Sequence, residues 1–242
     1  MTNFFSLPRE LRDQIYELCL LHEEAINPWA DYYQRKERTS GLFRASKTVH
    51  HEASSLFYTQ NRFDFTTTTS EAVASFLGTI GRNADHIRHV IVNFPQFLHL
   101  EPGDVTLEDS YVSIIANIQS GCANLSTLTT SLYSTNAMEL TLDAIDDPKV
   151  VTEALKLVDT QFRTISSLQD IIVELYEDGP NDHIRSEMES YGWTLSTNEN
   201  MEEEEFDRSW SDGEFEDYGY GYDDDDDYDI DNDSDFWRRA AD

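Results

Sequence analysis

The chain has 242 residues and a formal net charge of −31 at neutral pH, from 48 acidic against 17 basic side chains. That balance argues against a nucleic-acid ligand, because phosphates are held by cationic groups. A hydrophobic content of 39% allows a sizeable core, and the length suits one domain of ordinary size with a tail. From Glu199 to Asp242 there are 20 acidic and 3 basic residues, so −17 of the charge sits there and −14 on the rest. No apolar run is long enough to cross a membrane, and the first residues lack the basic-then-apolar order of a signal peptide. This points to a soluble intracellular protein of the cytoplasm or nucleus. Cys19 and Cys122 both lie in apolar surroundings and read as buried free thiols rather than a disulfide framework.

The first element is a helix. Ser6 is a candidate N-cap, with Pro8 in the first turn, where its missing N–H costs nothing. Leu7, Leu11, Ile15 and Leu18 recur at helical spacing, with Cys19 and His22 at the edge, while Arg9, Glu10, Arg12, Asp13 and Glu17 take the other face. Phe4 and Phe5 can fold back on the first turn as a staple. Such a stripe either packs the helix on its own domain or docks a partner, and the pattern alone leaves both open. Asn27 to Arg38 follows as a loop with exposed aromatics and one small basic cluster, Arg35, Lys36 and Arg38. A second helical stripe runs through Leu42, Ala45, Val49, Ala53, Leu56 and Phe57, with Arg44, Lys47, His50, His51 and Glu52 turned away. Phe63 and Phe65 then alternate as in a short strand.

These residues carry a resemblance. Leu7-Pro8-x-Glu10-Leu11-x-x-x-Ile15 resembles the opening of an F-box. The stretch 4–65 as a whole is similar to fungal F-box-like domains that begin Phe-x-x-Leu-Pro-x-Glu-hydrophobic-Arg-x-x-Ile-Tyr. The second part is Ser46-Lys47-Thr48-Val49-His50-His51-Glu52-Ala53, and the close is Phe57-Tyr58-Thr59-Gln60-Asn61-Arg62-Phe63-Asp64-Phe65. Of the family's paired Glu-x-Arg motifs, the first stands as Glu10-Leu11-Arg12 and the second is degraded to Glu52-Ala53-Ser54. The resemblance covers about a quarter of the chain. It implies docking to the Skp-type adaptor of a cullin ubiquitin ligase through Leu7, Pro8, Leu11, Ile15 and Leu18.

Beyond Phe65 the pattern changes. Ser70-Glu71 starts a helix through Ala72, Val73, Phe76 and Leu77 that ends near Gly78 or Gly81. Ile87-x-x-Val90-x-Val92 reads as a strand, and Pro102-Gly103 as a loop. Ser110 to Ser120 reads as a helix on Val112, Ile115 and Ile118. Leu125-x-x-Leu128-x-Thr130-x-Leu132 reads as a strand, Val150 to Phe162 as a helix, and Leu168-x-x-Ile171-x-Val173-x-Leu175 as another strand. The strands share one template, hydrophobic-x-x-hydrophobic-x-hydrophobic, with Thr130 as its one departure, and each later copy follows a helix. The pattern resembles an irregular leucine-rich repeat and implies parallel strands with helices outside. An ordinary open α/β sheet fits the same signals. A helix from about Asp182 to Tyr191 and the segment Gly192-Trp193-Thr194-Leu195 would close the unit.

The expected organisation is therefore α+β: an F-box-like helical module over 1–65, a repeat-like α/β domain over 66–197, and a disordered acidic tail over 198–242. Like-charge blocks at Glu202–Glu205 and Asp223–Asp227 repel, and nothing there offsets the entropy of ordering. The aromatics that punctuate it, such as Phe206, Trp210 and Phe215, suit contacts with basic proteins. No metal or cofactor is implied. His51-Glu52 lacks the second His of a zinc-protease helix, and no phosphate loop or nucleophile elbow is present. Asp229-x-Asp231-x-Asp233 imitates the start of a calcium loop, but Ser234 stands where the tight-turn Gly is needed. The expectation is a protein-binding module without enzymatic activity: either a ligase adaptor, or a scaffold whose tail takes basic proteins.

Overall fold

The computed structural model describes residues 4–30, 41–177 and 179–197. The basic cluster Arg35, Lys36 and Arg38, the acidic–aromatic tail and its calcium-like run lie outside the described residues. In chain order come helix α1 (Arg9–Leu20), α2 (Lys47–Gln60), strand β1 (Arg62–Asp64), α3 (Ser70–Ile80), β2 (His89–Val92), β3 (Phe97–Glu101) and β4 (Asp104–Leu107). Then follow α4 (Asp109–Gly121), β5 (Thr127–Thr130), α5 (Leu132–Asp143), α6 (Pro148–Phe162), β6 (Asp170–Leu175), α7 (Asp182–Ser190) and β7 (Thr194–Thr197).

The fold is a mixed α+β arrangement around one parallel sheet, ordered β1-β2-β5-β6-β7. Parallel neighbours need a crossover, and each of the four connections supplies at least one helix. Helices α3, α4, α6 and α7 pack on one another in succession and form a layer. Side chains alternate along each strand. Phe63, Val90, Val92, Leu128, Thr130, Ile171 and Val173 are buried, whereas His89, Ile91, Thr127 and Ile172 on the opposite face are half-buried. One core runs from Tyr16 to Trp193 and passes through β1 without interruption.

The three template copies end on β2, β5 and β6. Their bonding repeats as well. The carbonyl of Arg88, second residue of the first copy, accepts from the N–H groups of Ser126 and Thr127 at 3.0 and 2.9 Å. The carbonyl of Ser126, second residue of the next copy, accepts from Gln169 and Asp170 at 2.9 and 3.0 Å. The departure at Thr130 is satisfied internally, since its buried hydroxyl bonds the Thr135 hydroxyl at 3.1 Å.

Several local expectations are corrected. Ser6 does not cap α1; it ends a short 3-10 turn, and Pro8 occupies the N-cap with φ −51° and ψ 152°. A residue before proline is driven from helical angles, so Leu7 cannot continue the turn and the helix starts beyond Pro8. The second block is not one helix from Leu42. A 3-10 turn (Leu42–Arg44) precedes α2, whose N-cap Ser46 accepts from the Val49 N–H at 3.2 Å, and Ala45 is exposed while Phe43 is buried. Pro102-Gly103 is the two-residue turn of a hairpin, β3 with β4, and Gly103 takes φ +79° there, as only glycine does freely. Helix α5 has no counterpart in the sequence reading. Trp29, expected in an exposed loop, packs edge-on against Phe65 and Phe76 at 5.5 and 5.9 Å. Cys122 is buried, but Cys19 is only half-buried.

Candidate docking helix and its supporting network

Helix α1 packs on α2 through a polar centre. Glu52 is buried, contrary to its expected place on the outer face of α2, because three side chains converge on it. Arg12 donates Nε to Oε2 at 3.0 Å and Nη2 to Oε1 at 2.7 Å, a bidentate pair. The Tyr16 hydroxyl donates to Oε2 at 3.0 Å, and Arg9 approaches Oε1 at 3.4 Å. Arg12 also donates Nη1 to the Leu7 carbonyl at 2.7 Å, which fixes the chain just before the helix. The Arg12 guanidinium holds the Glu52 carboxyl below its ordinary range, against the opposing effect of burial. Burial, reinforced by Glu52, pushes the Tyr16 hydroxyl up to about 12. The arginine of the first Glu-x-Arg motif thus serves the glutamate of the second. The place of the missing second arginine is held by Ser54, which is buried.

Asn61 ties off both helices. Its Nδ2 donates to the carbonyls of Leu20 and Phe57, each at 2.9 Å, and its Oδ1 accepts from the His22 N–H at 2.9 Å. Below it Tyr58 stacks on Phe63 at 5.7 Å, with Phe57 edge-on to both. Phe4 folds back onto Tyr16 at 5.8 Å, so one half of the expected staple forms, while Phe5 stays exposed.

Because Arg12, Tyr16 and Leu20 form the inward line, the stripe Leu11, Ile15 and Leu18 is centred about 130° away from it round the helix. Leu11 is 44% exposed, Ile15 36% and Leu18 88%. Leu7 is half-buried and Pro8 exposed. Phe5 and Leu21, near the two ends of α1, are also exposed. Among the described residues the arrangement presents a helix whose apolar ridge is left exposed. Burial pushes the Cys122 thiol up to about 12, which disfavours the reactive thiolate. Among the described residues no three side chains of metal-binding type come together, and no helix is long and apolar enough to cross a membrane. No family model, curated protein or solved structure matches the chain.

Proposed function

We propose that the chain is a protein–protein interaction module that serves as a substrate-recognition adaptor of a cullin-type ubiquitin ligase. Leu7, Pro8, Leu11, Ile15 and Leu18 dock on a Skp-type adaptor, and the strand–helix units, read as irregular leucine-rich-repeat-like elements, face the target. The observation that carries the reading is the exposure of Leu11, Ile15 and Leu18 on a helix whose other side is locked by Arg12, Tyr16 and Glu52. A ridge of large apolar side chains costs solubility, and burial against a partner would return about 1.5–3 kcal/mol for each such side chain fully covered. In this reading the protein acts by binding and performs no catalysis.

Acidity favours a second reading, a scaffold without ligase function that collects basic proteins. Residues 1–198 carry −14 and the remainder −17. Co-purification from native cells separates the two. The tagged chain, its Leu11→Asp/Ile15→Asp variant and a variant ending after Thr197 are each probed for the Skp-type adaptor and cullin. The adaptor reading expects recovery with the native and shortened chains and a loss of at least tenfold with the double variant. Recovery of basic proteins alone, lost on shortening, would establish the scaffold instead.

A further inference from the structure

The two edges of the parallel sheet differ. At β1 the edge is closed by the chain itself: the Ile26 N–H donates to the Arg62 carbonyl at 2.8 Å, and the Ile26 carbonyl accepts from the Asp64 N–H at 2.9 Å. At the opposite edge β7 pairs only with β6, and among the described residues no hydrogen bond reaches its outer side. In a parallel ladder each residue turns its N–H and C=O to one side, and its neighbours turn theirs to the other. The Asp170 N–H donates to Ser126, just before β5, so Ile171, Val173 and Leu175 face β7. Val173 stands opposite Leu195 and therefore bonds Thr194 and Ser196. Leu195 and Thr197 are left with their N–H and C=O groups turned outward. Bare edges are ordinarily blunted by lysine, proline or a bulge. Strand β7 reads Thr194-Leu195-Ser196-Thr197, with neither charge nor proline, and its register with β6 is unbroken.

The side chains beside this edge select what can join it. On the sheet face away from the helix layer, Glu174 of β6 stands opposite Ser196. Glu174 makes no ion pair or side-chain hydrogen bond among the described residues, and neither β6 nor β7 carries a lysine or arginine. A strand added at β7 would lie two strand spacings, roughly 10 Å, from β6. The short Ser196 side chain leaves a path over which a long cationic side chain can reach Glu174. On the other face Leu195 is half-buried and leaves apolar surface for a neighbour. A second copy of the chain fits poorly, because it brings another −31 to the same edge and an uncharged β7 to answer Glu174.

We propose that β7 takes up an extended segment of a partner polypeptide as a further strand, with a lysine or arginine passing over Ser196 to Glu174 and an apolar residue beside Leu195. Main-chain bonds to Leu195 and Thr197 supply the pairing, and the alternation of basic and apolar side chains supplies the selection. The assignment is independent of what docks on α1. It also differs from capture of basic proteins by residues 198–242, which would need no backbone N–H of the partner.

The test uses the full chain and labelled peptides, followed by fluorescence anisotropy at physiological salt. The probe is acetyl-Val-Lys-Val-Lys-Val-Lys-Val-amide. Its companions carry glutamine for lysine, N-methyl groups on the lysine backbone nitrogens, or N-methyl groups on the valine backbone nitrogens. The probe is expected to bind at least tenfold tighter than the glutamine form. One methylated form should lose at least tenfold and the other stay within threefold, because only alternate N–H groups of an added strand face β7. Thr197→Pro removes an outward N–H and keeps the β6–β7 bonds, so it should weaken the probe at least fivefold. Glu174→Gln should cut the preference for lysine over glutamine at least threefold, and replacing Asp223 to Asp227 by asparagine should change it less than twofold. Circular dichroism and the urea midpoint check that the variants fold; the methylated peptides decide the case without any variant. Equal effects of the two methylated forms overturn the proposal, as does loss confined to the tail variant. Self-association of the native chain in sedimentation that Thr197→Pro abolishes also overturns it, since the edge would then belong to a second copy.

Discussion

Leu18 and Leu20 stand two positions apart on α1 and are expected to respond to truncation in opposite ways. Leu18 is 88% exposed and Leu20 2% exposed. Full burial of a leucine is worth about 1.5–3 kcal/mol, so the small buried share of Leu18 contributes only about 0.2–0.4 kcal/mol. Alanine's better helix propensity offsets a good part of that. Leu18→Ala should therefore be neutral within experimental error. Leu20→Ala removes a side chain from the α1–α2 contact, where large-to-small changes cost about 2–5 kcal/mol. In a body of this size about 1 kcal/mol moves Tm by roughly 2–4 °C, so Leu20→Ala should lower Tm by about 4–20 °C. Urea unfolding of both variants, with an unchanged m-value as the check on the denatured state, gives the two numbers directly. A loss above about 1 kcal/mol for Leu18→Ala refutes the orientation of α1. The stripe would then be core, and the docking proposal would lose its surface.

Asn61→Ala should destabilise by about 2–3 kcal/mol, because the Leu20 carbonyl loses this bond in a buried place and the His22 N–H in a half-buried one; a loss under about 0.5 kcal/mol would mean that water replaces the amide. Glu139 predicts a pH dependence. It is buried on α5 with Oε1 unpartnered among the described residues, and burial pushes its carboxyl from 4.5 to about 7, with Arg185 opposing and Asp143 reinforcing. The folded state then holds this proton more tightly than the unfolded chain, so this group's contribution to stability falls as pH rises from about 4.5 to about 7 and stays low above. Glu139→Gln should raise the urea midpoint at pH 8 and leave it unchanged at pH 4. An equal gain at both would assign the effect to packing instead.

The sheet was legible wherever one face of a strand carried the whole hydrophobic signal. Ile87, Val90 and Val92, and likewise Leu125 and Leu128, are spaced as their burial requires, and no distant residue is needed to interpret them. Helix α5 was illegible for the opposite reason. Its inward face carries Thr135 and Glu139 beside Met138 and Leu142, while Tyr133 and Leu140 point outward, so its polar and apolar positions are partly exchanged. Strands β3 and β4 hid similarly, since Leu98 is exposed, Leu107 alone of the two strands is buried, and Phe97, Leu100 and Val105 only lean half-buried on the core. On α1 the stripe was found but its direction was not. Arg12 and Tyr16 take the inward line only because Glu52, 36 and 40 residues away in the chain, meets them there. Spacing within one helix cannot contain that information.

The residues on which the F-box-like resemblance rests divide into two groups with different physical duties. Arg12, Tyr16, Glu52, Asn61 and Phe63 are consumed by the fold: their polar atoms are paired, or their rings lie in the core. Such residues would be required of any chain that adopts this α1–α2–β1 corner, whatever it binds. Leu11, Ile15 and Leu18 have no comparable internal duty, since most or much of their surface faces solvent. At Leu18 stability alone would accept a polar residue and solubility would favour one. Hence substitutions in the first group report on folding, and under the docking proposal those in the second, Leu18 above all, report on binding. A variant set that mixes the two, such as Arg12→Ala with Leu18→Asp, could lose a partner for either reason and would decide nothing about the ridge.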